Sequence, residues 1–191
     1  MSVNLLAINV GNTRSQFAAV LDGKIQDVHH VPHLNRDALL DELRQAYHPL
    51  ADLDDSVVYV ASVNDDAAAL ISHDVRQVLE RNVERMALDI PVPIGRQTDE
   101  DASTGVDRLL NAAAAYDQLK QAAIVVDAGT AVTIDFVDGE GTFHGGAILP
   151  GARMMLQAMD EHTAQLPAVE FQAPDEAIGH NTQQAMLTGV F

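Results

Sequence analysis

The sequence predicts an α/β protein built from two similar halves, and three observations support this. Short apolar runs of strand length alternate with longer segments of helical spacing. Two of the strands end in polar turns that contain Gly11-Asn12-Thr13 and Gly129-Thr130. Each turn is followed by a strand, an Asp-Gly hairpin (Asp22-Gly23 or Asp138-Gly139) and a further strand. This repeat predicts that both halves open with the same three-stranded unit.

In the first half, apolar runs and alternation predict strands, and apolar residues at helical spacing predict helices. The predicted order is three strands, a helix, a strand and a helix, over residues 5–10, 16–21, 25–31, 36–47, 57–61 and 65–85.

The second half follows a polar loop at residues 95–104 and repeats the strand pattern after an Ala-rich helix. Pro150-Gly151 ends the predicted sheet, and two helices follow it. The predicted elements are a helix, a buried strand, two more strands and two helices, over residues 106–120, 123–126, 132–137, 142–148, 152–162 and 176–189.

The composition is that of a chain with a hydrophobic core: 47% of its 191 residues are hydrophobic. The absence of cysteine excludes disulfides, thiolate catalysis and Cys-based zinc sites. The N-terminus lacks the basic flank and cleavage site of a signal peptide, and no apolar stretch approaches the roughly 18 residues of a membrane span. We therefore expect a cytoplasmic protein without a membrane partner.

The formal net charge of −17 repels nucleic acid, so no nucleic-acid partner is expected. A nucleotide could bind only where Mg²⁺, Arg side chains or backbone N–H groups overcome this charge locally. A simpler interpretation is that the acidic excess only solvates the surface.

The two polar turns form the first candidate site. If they faced each other, their backbone N–H groups, hydroxyls and carboxamide or carboxylate groups would suit a polyphosphate and its metal ion. The alternative is that glycine merely permits a positive φ in each hairpin. The duplication with matching flanks favours the functional interpretation.

Two acidic residues are further candidates. Asp107 and Arg108 fall in the first turn of a predicted helix, where a carboxylate can accept a hydroxyl proton and a guanidinium can hold an anion. Helix capping is the alternative for this pair. Asp127 ends a predicted buried strand, which favours a cation partner, and a turn-forming role is its alternative. The eight histidines show no metal-ligand spacing and are interpreted as surface groups.

Five ordered motifs now carry a family resemblance. They include Gly-Val-Asp-Arg and Asp-Ala-Gly-Thr, and they lie at residues 105–112, 125–135, 145–151, 162–167 and 178–182. In order and spacing they resemble type III pantothenate kinases of the sugar-kinase/actin superfamily. The resemblance implies duplicated ribonuclease-H-like halves, each a mixed five-stranded sheet with flanking helices. The halves would be residues 1–104 and 105–191, the second incomplete at its C-terminus.

The resemblance also implies an activity: ATP-dependent phosphorylation of pantothenate to 4'-phosphopantothenate, the first step of coenzyme A biosynthesis, by a homodimer that uses Mg²⁺ and a monovalent cation, K⁺ or NH₄⁺. Asp107 would be the general base and Asp127 the monovalent-cation ligand. The residues implied to bind pantothenate are Gly105, Val106, Asp107, Arg108 and Thr182. Those implied to bind ATP are Asn9, Val10, Gly11, Asn12, Thr13, Arg14, Ser15, Gln16 and Thr130.

The chain departs from the family pattern at three positions. Asn9 and Gln16 stand where the family has Asp and Lys, and Thr98 stands near where it has an aromatic residue. A pair of amides could replace an ion pair, or the affinity for Mg²⁺ could be lower. A catalytically weak or inactive kinase-like regulator is therefore the alternative function.

Overall fold

The computed structural model describes residues 4–99 and 103–191 as two mixed α/β units. The strands within these residues are β1 (Leu5–Val10), β2 (Arg14–Leu21), β3 (Lys24–Pro32), β4 (Val57–Ser62), β5 (Val83–Arg85), β6 (Gly95–Arg96), β7 (Ala123–Ala128), β8 (Ala131–Val137) and β9 (Thr142–Pro150). The helices are α1 (Arg36–Tyr47), α2 (Asp65–Val78), α3 (Val106–Leu119), α4 (Ala152–Glu161) and α5 (Thr182–Val190), and a short 3-10 helix, His48–Leu50, follows α1.

The first sheet has the strand order β3-β2-β1-β4-β5. Strands β1, β2 and β3 are antiparallel neighbours, whereas β4 is parallel to β1 and β5 is parallel to β4. The parallel connections run through α1 and α2, as crossovers between parallel strands require. The side chains of Asn35 and Asn64 cap these two helices by accepting hydrogen bonds from Ala38 N–H and Ala67 N–H.

Alternate residues of β1 build the main core of the first unit. Leu6, Ile8 and Val10 are buried and belong to one cluster with residues of β2, β4, α1 and α2. This alternation is typical of a strand with one fully covered face. The strand end that carries the first polar turn is therefore anchored by the core.

The second sheet has the order β6-β9-β8-β7, with β7, β8 and β9 antiparallel and β6 parallel to β9. Its three antiparallel strands repeat the arrangement of β1, β2 and β3, which confirms the predicted duplication and fold class. The described residues give this sheet four strands, and the expected five-stranded sheet is wrong for this half. After α4 the chain continues to α5 without a segment that pairs with the sheet.

Strand β7 is less buried than its apolar run predicts. Ile124 and Val126 are 61% and 60% exposed, and Asp127 at its end is also exposed. The prediction of a buried strand is wrong because burial requires an element packed over that face, which an apolar run does not itself supply.

The predicted helix at residues 65–85 is wrong in its second part. Helix α2 ends at Val78, and Glu80 has a φ of 53°. This left-handed conformation is incompatible with a right-handed α-helix, so the helix cannot continue through it. Residues 83–85 then pair in parallel with Val58, Tyr59 and Val60 of β4. Tertiary pairing has overridden the helical spacing of this segment.

Two further segments differ from the predictions by more than a shift of one or two residues at an element's boundary. Part of the predicted polar loop at residues 95–104 is β6, which pairs with Thr142 and Phe143. The last helix begins at Thr182 instead of residue 176, with Asn181 as its cap. A Cβ at Gly179 would overlap the backbone of Ala185, so the chain turns back on the helix before it begins.

The described chain groups into two contact units. The first contains residues 4–93 and 103–113, and the second contains residues 94–99 and 114–191. The start of α3, with Asp107, therefore groups with the first sheet, and the expected boundary between residues 104 and 105 stays a prediction. Within the described ranges, no helix has the length and apolar character needed to span a membrane.

Candidate active site

The first polar turn joins two paired strand ends. Val10 and Ser15 are cross-strand partners, and Gly11 N–H donates to the Arg14 carbonyl at 3.0 Å. Asn12, Thr13 and Arg14 are exposed at the tip. The turn therefore combines a fixed base with an accessible tip that carries backbone N–H groups, an amide, a hydroxyl and a guanidinium.

Asn9 and Gln16 lie directly opposite each other at the base of this turn. Asn9 Nδ2 donates to Gln16 Oε1 at 3.4 Å, and Gln16 Nε2 lies 3.2 Å from His30 Nδ1 on β3. Two amides thus form a side-chain pair at the positions where the family resemblance places Asp and Lys. Because Asn9 uses its Nδ2 group in this contact, its Oδ1 oxygen is the group available to a hydrated cation.

His33 contacts the first turn, although the sequence predicts a surface group at this position. Its Nε2 lies 2.9 Å from the hydroxyl of Ser15, which is 0% exposed, and its backbone N–H donates to the Thr13 carbonyl at 3.1 Å. The prediction is wrong for this histidine. Only the pairing of β2 with β3 brings these residues together across 18 positions, so no local pattern could have indicated the contact.

The end of β4 connects the first turn to the start of α3. Val63 N–H donates to the Val10 carbonyl at 3.2 Å. A Cβ placed on Gly105 would lie 3.6 Å from Val63 Cγ1. The carboxyl ends of the parallel strands β1 and β4 and the start of α3 therefore meet at one edge of the first sheet, where ligands of open α/β sheets commonly bind.

Asp107 lies in the first turn of α3, as predicted, and is half-buried. Its Oδ1 accepts a hydrogen bond from Arg108 N–H at 2.8 Å. A Cβ at Gly105 would lie 2.6 Å from the same oxygen, so glycine is needed for the carboxylate to fold back over this position. The buried side chains of Val106 and Leu109 anchor this turn of the helix.

The second polar turn occupies the equivalent place in the second sheet. Asp127 pairs with Thr133 across the strands, as Asn9 pairs with Gln16 in the first sheet. Gly151 N–H donates to the Thr130 carbonyl at 3.0 Å, and a Cβ on this glycine would overlap the turn's backbone. The break predicted at Pro150-Gly151 is thus a close contact with the second turn.

The remaining predicted residues also lie in the second unit. Thr182 is exposed at the first position of α5, where the Asn181 side chain accepts from Gln184 N–H at 2.9 Å. Thr98 is half-buried just after β6. The structure thus groups Asn9 to Gln16 with Gly105 to Arg108 in the first unit, where Val63 links them, and it groups Asp127, Thr130 and Thr182 with the second.

The donor groups at the two turns differ in their suitability for cations. Within residues 4–99 and 103–191, no three His, Asp or Glu side chains cluster as a metal site. The first turn offers neutral amide and hydroxyl oxygens, which fit a hydrated Mg²⁺ that takes most of its ligands from water and phosphate. The second turn offers the Asp127 carboxylate.

Comparison with known proteins decides the family. The sequence profile of type III pantothenate kinase matches residues 5–191. A type III pantothenate kinase of Rhodospirillum rubrum is 33% identical over 198 residues, which cover 98% of this chain and 75% of that protein. The chain belongs to the type III pantothenate kinase family.

Other members of this pantothenate kinase family give the same result. A protein of that name from Anaeromyxobacter sp. strain K is 31% identical, with 97% of this chain and 75% of the relative covered. One from Ruegeria pomeroyi is 45% identical over 103 residues, which are 54% of this chain and 40% of that protein. The chain thus spans about three quarters of the length of the Rhodospirillum and Anaeromyxobacter relatives, which match over nearly all of it. Less than half of the Ruegeria relative is aligned.

A solved structure shares the fold. The crystal structure of a Campylobacter jejuni protein, described as a Baf family transcriptional activator, superposes with a TM-score of 0.58 and 20% identity, over 97% of this chain and 73% of that one. At this identity the similarity shows the fold alone.

Proposed function

We propose that this chain phosphorylates pantothenate at its hydroxyl group with ATP, and that Asp107 is the general base. Membership of the type III pantothenate kinase family supports the reaction. The position of Asp107 supports its role, because the carboxylate lies at the start of α3 beside the strand end that hydrogen-bonds to the phosphate turn. This position is the single observation that carries the assignment.

The reaction forms a bond between the pantothenate hydroxyl oxygen and the γ-phosphorus of ATP and breaks the bond to the β,γ-bridging oxygen. ADP leaves, and Asp107 accepts the hydroxyl proton. The transition state of such transfers is loose, so the proton leaves late and a carboxylate suffices as its acceptor. Orientation of the hydroxyl is then the main contribution of Asp107.

The polar turns and helix starts bind the two substrates. Residues 9–16 hold the ATP phosphates with backbone N–H groups and the exposed tip side chains, and Thr130 contacts the nucleotide from the second turn. Gly105, Val106 and Arg108 bind pantothenate together with Asp107, and Thr182 contacts it from α5. Arg108 supplies the positive charge that the pantothenate carboxylate requires.

Two cations complete the site. Mg²⁺, when bound with ATP, neutralises the charge that develops on the transferred phosphoryl oxygens. Asn9 Oδ1 is the group of the first turn that would contact its hydration shell, and Asp127 would hold K⁺ or NH₄⁺ at the second turn. The protein acts in the cytoplasm as a homodimer, and a monomeric mass in light scattering would contradict the dimer.

Replacement of Asp107 by Asn tests the proposal. The change is close to isosteric and removes the proton acceptor, so we expect the rate of pantothenate phosphorylation to fall by roughly 10² to 10⁴. ATP affinity and the melting temperature should stay near those of the wild type.

The matched control is Asp117→Asn, an exposed carboxylate on the same helix. This variant should keep the wild-type rate. Wild-type turnover by Asp107→Asn would exclude Asp107 as the base, and a wild-type chain that never phosphorylates pantothenate would contradict the proposed reaction.

A further inference from the structure

We propose that His33 is a positioning residue for ATP binding. Through its contacts with Ser15 and Thr13, it holds the backbone of the proposed phosphate turn in one conformation. The inference rests on the proposed role of residues 9–16 as the ATP phosphate turn. His33 lies outside that turn, at the junction between β3 and α1. It contacts the turn at two points, one from its side chain and one from its backbone.

The side-chain contact satisfies a buried hydroxyl. Ser15 is 0% exposed, and its Oγ lies 2.9 Å from His33 Nε2. A buried hydroxyl without a partner is costly, so this contact favours one orientation of Ser15. Ser15 also pairs with Val10 in the strand ladder, so the contact acts on the base of the turn.

The backbone contact acts on the tip of the turn. His33 N–H donates to the Thr13 carbonyl at 3.1 Å. This bond occupies the carbonyl oxygen of Thr13 on the side of β3. Together with the bond from Gly11 N–H to the Arg14 carbonyl, it restricts the conformations that the tip can adopt.

His33 is itself held on both sides. Pro32, before it, pairs with Arg14 in the sheet, and Asn35, after it, caps α1 through Ala38 N–H. The next residue, Arg36, donates to Asp74 Oδ1 on α2 at 2.6 Å, and the Asp74 carboxylate is almost fully buried. A strand, a helix cap and an interhelical ion pair therefore fix the segment that carries the imidazole.

A pocket of about 110 Å³ is lined by residues that include His33, Leu39, Ile71 and Asp74. Truncation of the His33 side chain removes atoms at this pocket and forces no new atoms into the core. We therefore expect His33 variants to fold, so that changes in ATP binding can be measured on the native structure.

A preorganised phosphate turn binds ATP without first having to be ordered. Loss of the imidazole should therefore raise the dissociation constant and KM for ATP, and it should change kcat and the KM for pantothenate much less. The expected increase is roughly tenfold, the effect of one lost hydrogen bond to a buried group. A purely structural role would lower the melting temperature and the amount of active protein but leave the ATP affinity and the KM for ATP of the folded protein unchanged.

The experiment compares four single histidine variants with the wild type, and Ser15→Ala, alone and combined with His33→Ala, completes the set. His33→Ala removes the contact, and His33→Gln restores a polar nitrogen or oxygen at the reach of Nε2. His33→Asn places its amide at the reach of Nδ1 instead, and is expected to resemble His33→Ala. The control His73→Ala removes an exposed histidine of α2. Each is measured by calorimetric titration with Mg·ATP, by steady-state kinetics and by thermal melting.

We expect weak Mg·ATP binding for His33→Ala and His33→Asn. His33→Gln should recover the wild-type affinity, and His73→Ala should keep it. Ser15→Ala combined with His33→Ala should add little to either change alone, because both remove the same contact. Equal ATP affinity in wild type and His33→Ala would overturn the inference. Titration with Mg·ATP does not depend on turnover, so an inactive wild type would refute the proposed reaction separately.

Discussion

At the scale of single residues, the pair Asn9 and Gln16 is the main difference between this chain and the family pattern. Asn9 Nδ2 donates to Gln16 Oε1 at 3.4 Å, so two uncharged side chains pair across the strands at these positions. Gln16 also lies next to His30, so the pair continues across three strands. The proposed phosphate turn is thereby held by neutral groups, which would contribute less to Mg²⁺ binding than a carboxylate.

Asn9→Asp should lower the Mg²⁺ concentration needed for half-maximal activity, because it adds a full charge within reach of the ion's hydration shell. Water in that shell limits the gain to about a factor of ten. Gln16→Lys in the same chain should cancel part of the gain by pairing with the new carboxylate. Mg²⁺ titrations of the wild type, both single variants and the double variant give the Mg²⁺ concentration for half-maximal activity of each protein.

Asn82→Asp is the control, since it adds the same charge at an exposed position away from the turn. A midpoint that stays in place or rises in Asn9→Asp would show that position 9 does not weaken Mg²⁺ binding.

At the scale of elements, the β8–β9 hairpin shows how one side chain holds a turn. Asp138 Oδ1 accepts from Glu140 N–H and Thr142 N–H, both at 2.9 Å, and Oδ2 lies 2.8 Å from His144 Nε2. The hydrogen bond from His144, followed by that from Thr142 N–H, lowers the pKa of Asp138 to about 2. The carboxylate is therefore the form that the folded hairpin favours.

Asp138→Asn should destabilise the protein modestly, with a fall in melting temperature of no more than about 3 °C at neutral pH. The native pKa is below the ordinary value of 3.8, so this stabilisation is fully present above pH 3.8 and is lost as pH falls through about 2. The difference in melting temperature between wild type and variant should accordingly shrink between pH 4 and pH 2.

The control is Asp52→Asn, which removes an exposed carboxylate. A difference that grows on acidification would contradict the expected sign.

At the scale of the whole molecule, duplication places two related turns in the two sheets. The cross-strand pairs Asn9–Gln16 and Asp127–Thr133 occupy equivalent register positions. One turn therefore carries a neutral amide where the other carries a carboxylate. In a chain with a net charge of −17, this difference supports separate roles: one turn for a polyphosphate and the other for a cation.

We expect activity to rise with K⁺ or NH₄⁺ and Asp127→Ala to lose this dependence, because the carboxylate is the proposed ligand. Rates at constant ionic strength in sodium, potassium and ammonium buffers measure the effect. Asp175→Ala, at an exposed position of the same unit, should keep the response. Equal wild-type rates in sodium and potassium would refute the assignment.

The local sequence determined much of this protein. Strand β1 and helix α1 have the predicted bounds, and the repeated turns and the place of Asp107 at the start of α3 also follow from local patterns. Apolar periodicity, turn residues and capping act over a few residues, so they can be detected without a fold. The motifs that identify the family are of the same local kind.

Tertiary structure decided what depends on pairing between distant segments. It made residues 83–85 a strand, left β7 open on one face, joined Asn9 to Gln16 and brought His33 to Ser15. These contacts are set by which strands lie side by side and in which register, and a shift of one residue would turn every side chain to the other face. Local patterns indicate which face of a strand is buried, but they do not determine which distant strand lies beside it, because the pairing energy arises only when the sheet has formed.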